Sequence, residues 1–554
     1  MVLLCLFLPC AYSQDAEENA EKNAEEKTGR IPLIPSDGLV FGLPEKLDFS
    51  LGMDIGYDKV LWLGVGARMD YTAGPFDLTA DIVFLNDQKY TPAAVMNSSG
   101  DIGGFYFLLN EGGLSYKEGP LQIMAGRYRN YDEINSPYSL FLNSNGISAN
   151  TIKFRWETPR FFYQTQWIEL NWNSGTSSPA WNEYNRRKEK GGGEEFRTDE
   201  FPDDASNSNT GGLKKYGFPD RGINYKVYGL KINDWRIGFI DVAVYSGRPF
   251  DLYYFLVPLP MYFSQYIRTT EGRPWSTQMN DNNMMGLFWD VNKETWDAYY
   301  QFLIDDFALY FFNDIFGTDF SKNPWKAAWS VGGRIRTSVG TFGFHHAGAL
   351  KYTFSPVGVN ESGLYAWDSA NTAYGYSYYP ETRYYDGSRS VNLLIQDTMI
   401  GYKYGENNLA FQVDYQNTFN DFLVTTELEL LLAGNNSPAN PWHQYDSRSN
   451  MYKDGKKKSQ LFNDGQIEKK LELRINVSRK FGNLGAYAAL AIGGRFNRLE
   501  LRPPGDDPNG EKGSPAGANN LRTVDDESWI WKASDNHEFV FRFSVGFRYV
   551  FPVL

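Results

Sequence analysis

The chain has 554 residues, a formal charge of -13, and an aromatic share of 16% contributed by 37 Tyr, 39 Phe and 15 Trp. The acidic balance argues against nucleic acid as a partner, because phosphate binding needs clustered Lys and Arg. A charged share of 22% and a hydrophobic share of 42% exclude a wholly disordered or collagen-like chain.

Residues 1–13 read as a signal peptide. An apolar run, VLLCLFLPC, leads to Ala11-Tyr12-Ser13, a small-x-small site of the kind signal peptidase cuts. Acylation of Cys10 is the competing reading, with Pro9 an unusual neighbour for it. Cys5 and Cys10 are the only cysteines, so the processed chain is expected to do without disulfides. Residues 14–45 open with the acidic, Ala-rich stretch QDAEENAEKNAEEKTGR, expected to be a solvated periplasmic tether or short helix. Nowhere do 18 uninterrupted apolar residues offer a spanning helix.

From residue 46 a different pattern begins. Leu47, Phe49, Leu51, Met53, Ile55 and Tyr57 alternate with Asp48, Ser50, Gly52, Asp54 and Gly56, and the same period returns from Leu61 and from Phe76. Period two is strand periodicity, with one apolar face and one polar face. These runs last about eleven residues, the length a tilted strand needs to cross a bilayer and about twice the usual soluble strand. Short turns alternate with long polar segments at 87–103, 130–149, 173–222, 247–282 and 355–390. Short turns at one end and long loops at the other mark an outer-membrane barrel, which must close so that every backbone group is paired. Mean hydropathy is -0.47, compatible with strands apolar on the lipid side alone.

The expected fold is therefore all-β, a closed antiparallel transmembrane barrel over residues 46–554, with lipid as its surroundings and the bacterial outer membrane as its location. Nineteen candidate strands begin near 47, 60, 76, 104, 121, 150, 161, 223, 235, 283, 296, 327, 341, 391, 408, 422, 470, 484 and 538. A bacterial barrel has an even number, and the alternation of short and long connections fails between Gly405 and Lys470. One candidate there is superfluous, or one is missing in 434–468. Eighteen is the expected count, with 16 or 20 as alternatives. In the last strand Phe539, Phe541, Phe543, Val545, Phe547, Tyr549 and Phe551 alternate with smaller or charged residues. This resembles the terminal strand by which such barrels engage the barrel-assembly machinery, an expected partner.

Catalytic chemistry finds little support. His345 and His346 are adjacent on a strand and point to opposite faces, His346 to the apolar one. His443 and His537 lack a metal-ligand spacing. No catalytic residue, metal or cofactor is expected, and the chain does not read as an enzyme. On the strand from Trp296, the residues Asp297, Tyr299, Gln301 and Asp305 oppose Ala298, Tyr300, Phe302 and Ile304. Asp297 and Asp305 should thus face the lumen, with Arg127, Arg155 and Arg334 as candidate partners. Loop aromatics, including Trp181, Trp367 and Tyr378, stand among carboxylates and amides, a combination that suits sugars. Most single Tyr residues read instead as an aromatic belt.

Three segments resemble the Wzi-like capsule-assembly family of outer-membrane barrels. They are Ser136–Gly146 (SPYSLFLNSNG), Tyr300–Phe307 (YQFLIDDF) and Asn323–Arg334 (NPWKAAWSVGGR). Asn135-Ser136-Pro137 stands where that family's Gly-Pro-Gly element would be. The resemblance implies an 18-stranded barrel that binds surface polysaccharide as a lectin-like anchor, with Asn143 and Asn145 of the first segment among the ligand contacts. The alternative is a general or substrate-selective porin, which an acidic lumen would make cation-preferring.

Overall fold

The computed structural model describes residues 46–87, 104–144, 146–171, 220–246, 248–270, 281–305, 326–351, 353–354, 376, 378, 399–435, 437, 452–453, 456–457, 461–462, 465–502 and 530–553. Eighteen of its strands form one closed antiparallel sheet. In chain order they are β1 Lys46–Asp58, β2 Val60–Ala73, β3 Phe76–Leu85, β4 Tyr106–Glu118, β5 Leu121–Tyr128, β6 Ala149–Glu157, β7 Phe161–Asn171, β8 Arg221–Ile232 and β9 Trp235–Ser246. They continue with β10 Asn282–Asn292, β11 Trp296–Asp305, β12 Ala327–Thr337, β13 Gly340–Ala349, β14 Asn408–Phe419, β15 Phe422–Ala433, β16 Glu468–Phe481, β17 Leu484–Phe496 and β18 Glu538–Val553. Each strand pairs with its sequence neighbours, and β1 pairs with β18 to close the ring, Leu51 opposite Tyr549 and Met53 opposite Phe547. The barrel leaves no strand edge unpaired, as a hydrocarbon environment demands.

The expected count of eighteen stands, but the surplus lies elsewhere than expected. Strand β13 pairs directly with β14, His345 opposite Gln412, so the candidate near 391 has no place in the wall. Its first residues lie outside the described ones, and 400–407 carry no strand. The stretch 434–468 adds none to the barrel either; the two-residue ladder Tyr452–Lys453 with Lys456–Lys457 stands apart. With 391 removed, parity is restored: every long connection falls at the end opposite the termini. That end is the outer one, and the short-turn end, where β1 starts and β18 finishes, is the periplasmic one.

Side-chain phase follows the sequence pattern. Leu51, Met53 and Ile55 of β1 and the odd-numbered residues Phe539 to Phe551 of β18 are exposed around the outside, while Ser50, Asp54 and Ser544 are buried inside. Phe547, Tyr549 and Phe551 therefore face lipid. His345 is buried on the lumen side, and His346 sits on the outer face, stacked on Phe411 and accepting from Trp329 Nε1 at 3.1 Å. The apolar outer band and the closed sheet make this an outer-membrane barrel. Two helices, α1 Leu252–Leu256 and α2 Met261–Thr270, lie in the β9–β10 connection.

Candidate functional site

The lumen is organised by two segments that fold inward from the outer end. The first belongs to the β5–β6 connection, whose Tyr138, Leu140, Phe141 and Leu142 are fully buried. They belong to one apolar core with the inward residues of β6 through β15, among them Ile168, Ile223, Val242, Met284, Leu303 and Ala410. Asp132 organises this segment. One carboxylate oxygen accepts from the backbone N–H groups of Ile134 and Asn135, both at 3.1 Å, and from Ser139 Oγ at 3.0 Å. Asn135 takes the left-handed conformation (φ 49°) that lets the chain wrap so tightly. The other oxygen accepts from Phe141 N–H at 3.3 Å and from the Gln301 side-chain amide, on β11, at 2.9 Å.

The second segment comes from the β13–β14 connection. The Ile400 carbonyl accepts from Asn143 N–H at 2.6 Å, and the Leu140 carbonyl accepts from Tyr402 N–H at 3.2 Å. Tyr376 donates its hydroxyl to the Phe141 carbonyl and stacks on Phe354. Gly401 allows this approach: a Cβ there would lie 2.2 Å from the Leu140 oxygen. The two segments thus form a single plug against the β6–β15 side of the lumen.

Charge pairing anchors the plug to the wall. Glu429 of β15 accepts from Tyr138 Oη at 2.9 Å and lies 3.0 Å from Lys403 Nζ, one from each inward segment. On the wall it also meets Arg474 of β16 at 2.6 Å. Glu472 continues the chain of charge to Lys470 at 3.3 Å, Arg474 at 2.6 Å and Arg542 of β18 at 2.6 Å. Lys403 also lies 4.9 Å from the ring centres of Tyr138 and Tyr404. Every one of these carboxylates is held by two or more cations, the condition under which buried charge is tolerated.

The periplasmic half of the lumen differs. Pairs there include solvated ones, Arg68 with Asp70 (side chains 31% and 41% exposed) and Lys231 with Glu157 (28% and 36%), beside the buried pair of Arg155 with Glu133 of the first inward segment. His345 links Tyr299, 3.0 Å from its Nδ1, to Asp414, 2.9 Å from its Nε2. Among the described residues no group of three or more His, Cys, Asp or Glu is placed to hold a metal ion.

Among the described residues, those singled out from sequence do not converge on one pocket. Asp297 and Asp305 both face inward but stand at opposite ends of β11, about 27 Å apart at about 3.4 Å per residue. Their partners differ from those expected. Asp297 pairs with Arg336 at 2.5 Å, and Asp305, fully buried, lies 3.7 Å from Lys326 and accepts from Phe354 N–H at 3.1 Å. Arg155 instead bonds Glu133 and Glu157, Arg334 lies 3.9 Å from Asp414, and Arg127 donates to the Leu109 carbonyl. Asn143 and Tyr378 are buried within the plug, where Asn143 Nδ2 also donates to the Met399 carbonyl at 3.4 Å. Asn145, Trp181 and Trp367 lie outside the described residues. Asp132 and Glu429 were not singled out. Glu429 was legible in part, because Glu427 and Glu429 alternate with Leu428 and Leu430; Asp132 leaves no periodic trace.

No known family model matches the chain, and no curated protein sequence does. Among solved structures it is similar to Wzi, an outer-membrane protein involved in group 1 capsule assembly in Escherichia coli and a carbohydrate-binding β-barrel. The TM-score is 0.46 at 10% identity, covering 92% of this chain and 85% of that one. It is also similar to OccAB2 of Acinetobacter baumannii, with TM-score 0.40, 10% identity and coverage of 92% and 98%. OprD of Pseudomonas aeruginosa follows at TM-score 0.39, 8% identity, 92% and 95%.

Proposed function

We propose that this outer-membrane barrel is a plugged anchor for surface polysaccharide, acting by binding and not by catalysis. The observation that carries the reading is the plug itself: Leu140 and Asn143 of one inward segment are bonded to Tyr402 and Ile400 of the other, and both segments are tied to Glu429 on the wall. A pore needs a continuous water path, whereas here apolar side chains and paired charges occupy the outer half of the lumen on the β6–β15 side. The first of the plug's two segments, Ser136 to Asn143, lies in the stretch that resembles the capsule-assembly family. Sugar contact is assigned to the outer end, with Asn145, Trp181 and Trp367 as candidate contacts.

The porin reading has one observation in its favour, the solvated charged lining around Arg68, Asp70 and Glu111. Planar-bilayer conductance of the refolded barrel separates the two. The anchor reading expects small, intermittent conductance, together with retardation of the barrel in a gel that contains purified surface polysaccharide. A large, steady, cation-selective conductance without retardation would overturn it in favour of the porin.

A further inference from the structure

The wall between β7 and β10 breaks the rule that outward residues are apolar. One row of paired residues runs Ile123, Phe154, Thr165, Lys226, Asp241, Met285, Ile304 across β5 to β11. Its flanks are apolar, and its centre is Thr165, Lys226 and Asp241. These three face outward, since Leu230 and Ile237, four residues along the same strands, are exposed on the lipid side, while Tyr225 and Val227 belong to the lumen core. Along the same outer face lie Asn224 and Asn283. Charged groups on a lipid-facing wall are costly, yet Lys226 and Asp241 are fully buried.

The β9–β10 connection covers them. Lys226 donates its ammonium to the carbonyls of Val257 and Leu259, and Asp241 accepts from Met261 N–H. Thr165 Oγ donates to the Phe255 carbonyl at 3.0 Å, and Trp167 Nε1 to the Pro249 carbonyl at 2.7 Å. Near its ends the connection is pinned by Arg248, which bridges Asp251 and Asp281, both at 2.7 Å. Inward, Tyr254, Met261 and Ser264 are buried; outward, Leu252 is 58% exposed, Leu256 63% and Phe263 57%.

We propose that residues 248–267 form a flap on the outside of the barrel that seals a polar window in the wall and presents Leu252, Leu256, Leu259 and Phe263 to the acyl chains of the membrane. The occupant is lipid because the flap's outer face continues the established apolar band, to which Leu287 of β10, 57% exposed, belongs. The window needs a cover that supplies carbonyls to an ammonium and an N–H to a carboxylate; lipid tails can do neither. A segment that sequence assigns to the extracellular loops is on this reading part of the intramembrane surface.

Cys5 and Cys10 are the only natural cysteines, so replacing both by Ser leaves an engineered cysteine as a unique spin-label site. Labels at Leu256→Cys and Phe263→Cys, in bilayers of phosphatidylcholine and phosphatidylglycerol, should collide preferentially with dissolved oxygen, matching a reference label at Leu287→Cys. Preferential collision with a water-soluble nickel chelate at both sites would overturn the proposal. Shielding from both reagents would show that protein, a second copy included, covers the face, and would overturn the lipid assignment as well. If either variant loses heat-modifiable gel mobility, Leu259→Cys takes its place. Lys226→Ala should increase the mobility of the Phe263 label at least twofold; unchanged mobility would overturn the window's role in holding the flap.

Discussion

The Gln301 amide holds Asp132 by a 2.9 Å hydrogen bond from Nε2, while its Oε1 accepts from the Leu140 N–H at 3.1 Å. One wall side chain therefore grips the plug at two points eight residues apart in sequence. Its donor and acceptor are both used, so only an amide of this length serves both.

Replacing Gln301 by Glu would set a second carboxylate against Asp132 and remove its donor. The expected cost is about 1–3 kcal/mol, the range for leaving a buried polar group unsatisfied. The barrel should still assemble, because the β11 ladder is untouched. Single-channel recording should show longer and larger openings than the parent, and unchanged traces would count against the plug.

Gly401→Ala probes the contact between the two inward segments without touching the wall. Its Cβ would meet the Leu140 carbonyl at 2.2 Å and the Tyr376 ring at 2.6 Å, so the segments must separate. Increased conductance with normal heat-modifiable mobility is the expected result. A loss of mobility would mean that plug and wall fold as one unit.

Glu429 and Asp234 make a contrast in burial. Glu429→Ala takes the anion from Lys403 and one of three from Arg474, and should destabilise by about 3–5 kcal/mol, as removal of one partner from a buried ion pair does. Asp234, paired with Lys293 at an exposed turn, should cost about 0–1 kcal/mol on conversion to Asn. The temperature at which gel mobility shifts measures both. Equal shifts would contradict the burial of Glu429.

Asp305 and Asp297 should separate in the same way. Asp305→Asn weakens a fully buried contact with Lys326 and is expected to lower the shift temperature while barely changing conductance. Asp297 pairs with a half-exposed Arg336 near the periplasmic end, so Asp297→Asn should leave stability almost unchanged. A drop in cation selectivity in either variant, together with a large steady current, would favour the porin reading.

For the last strand the lipid face is the one at risk. Tyr549→Asp with Phe551→Asp should abolish assembly, because both rings face outward near the start of the barrel seam. Ser544→Ala with Arg548→Gln changes only inward positions and should assemble. The fraction of protein recovered folded from the outer membrane decides between them, and equal recovery would contradict the assigned phase.

The alternation of Leu51, Met53 and Ile55 with Ser50, Gly52 and Asp54 was enough to read strand, phase and membrane from sequence. Charge on the outer face costs about 2–4 kcal/mol at the mid-plane, so period two is imposed strand by strand and needs no knowledge of neighbours. The inward face is under no such rule. It accepts Leu303, Gln301 or Asp305 alike, provided something elsewhere in the ring complements each. That complement is set by closure and register: Arg336 rather than Arg334 for Asp297, and Lys403 and Arg474 for Glu429. The same holds for the β9–β10 connection, whose amphipathic residues read as an outer loop. Only the pairing of Lys226 with Asp241 across two strands shows that the wall beneath needs covering. Local chemistry determined the barrel; its contents and its flap were decided by contacts between residues far apart in the chain, which no local period encodes.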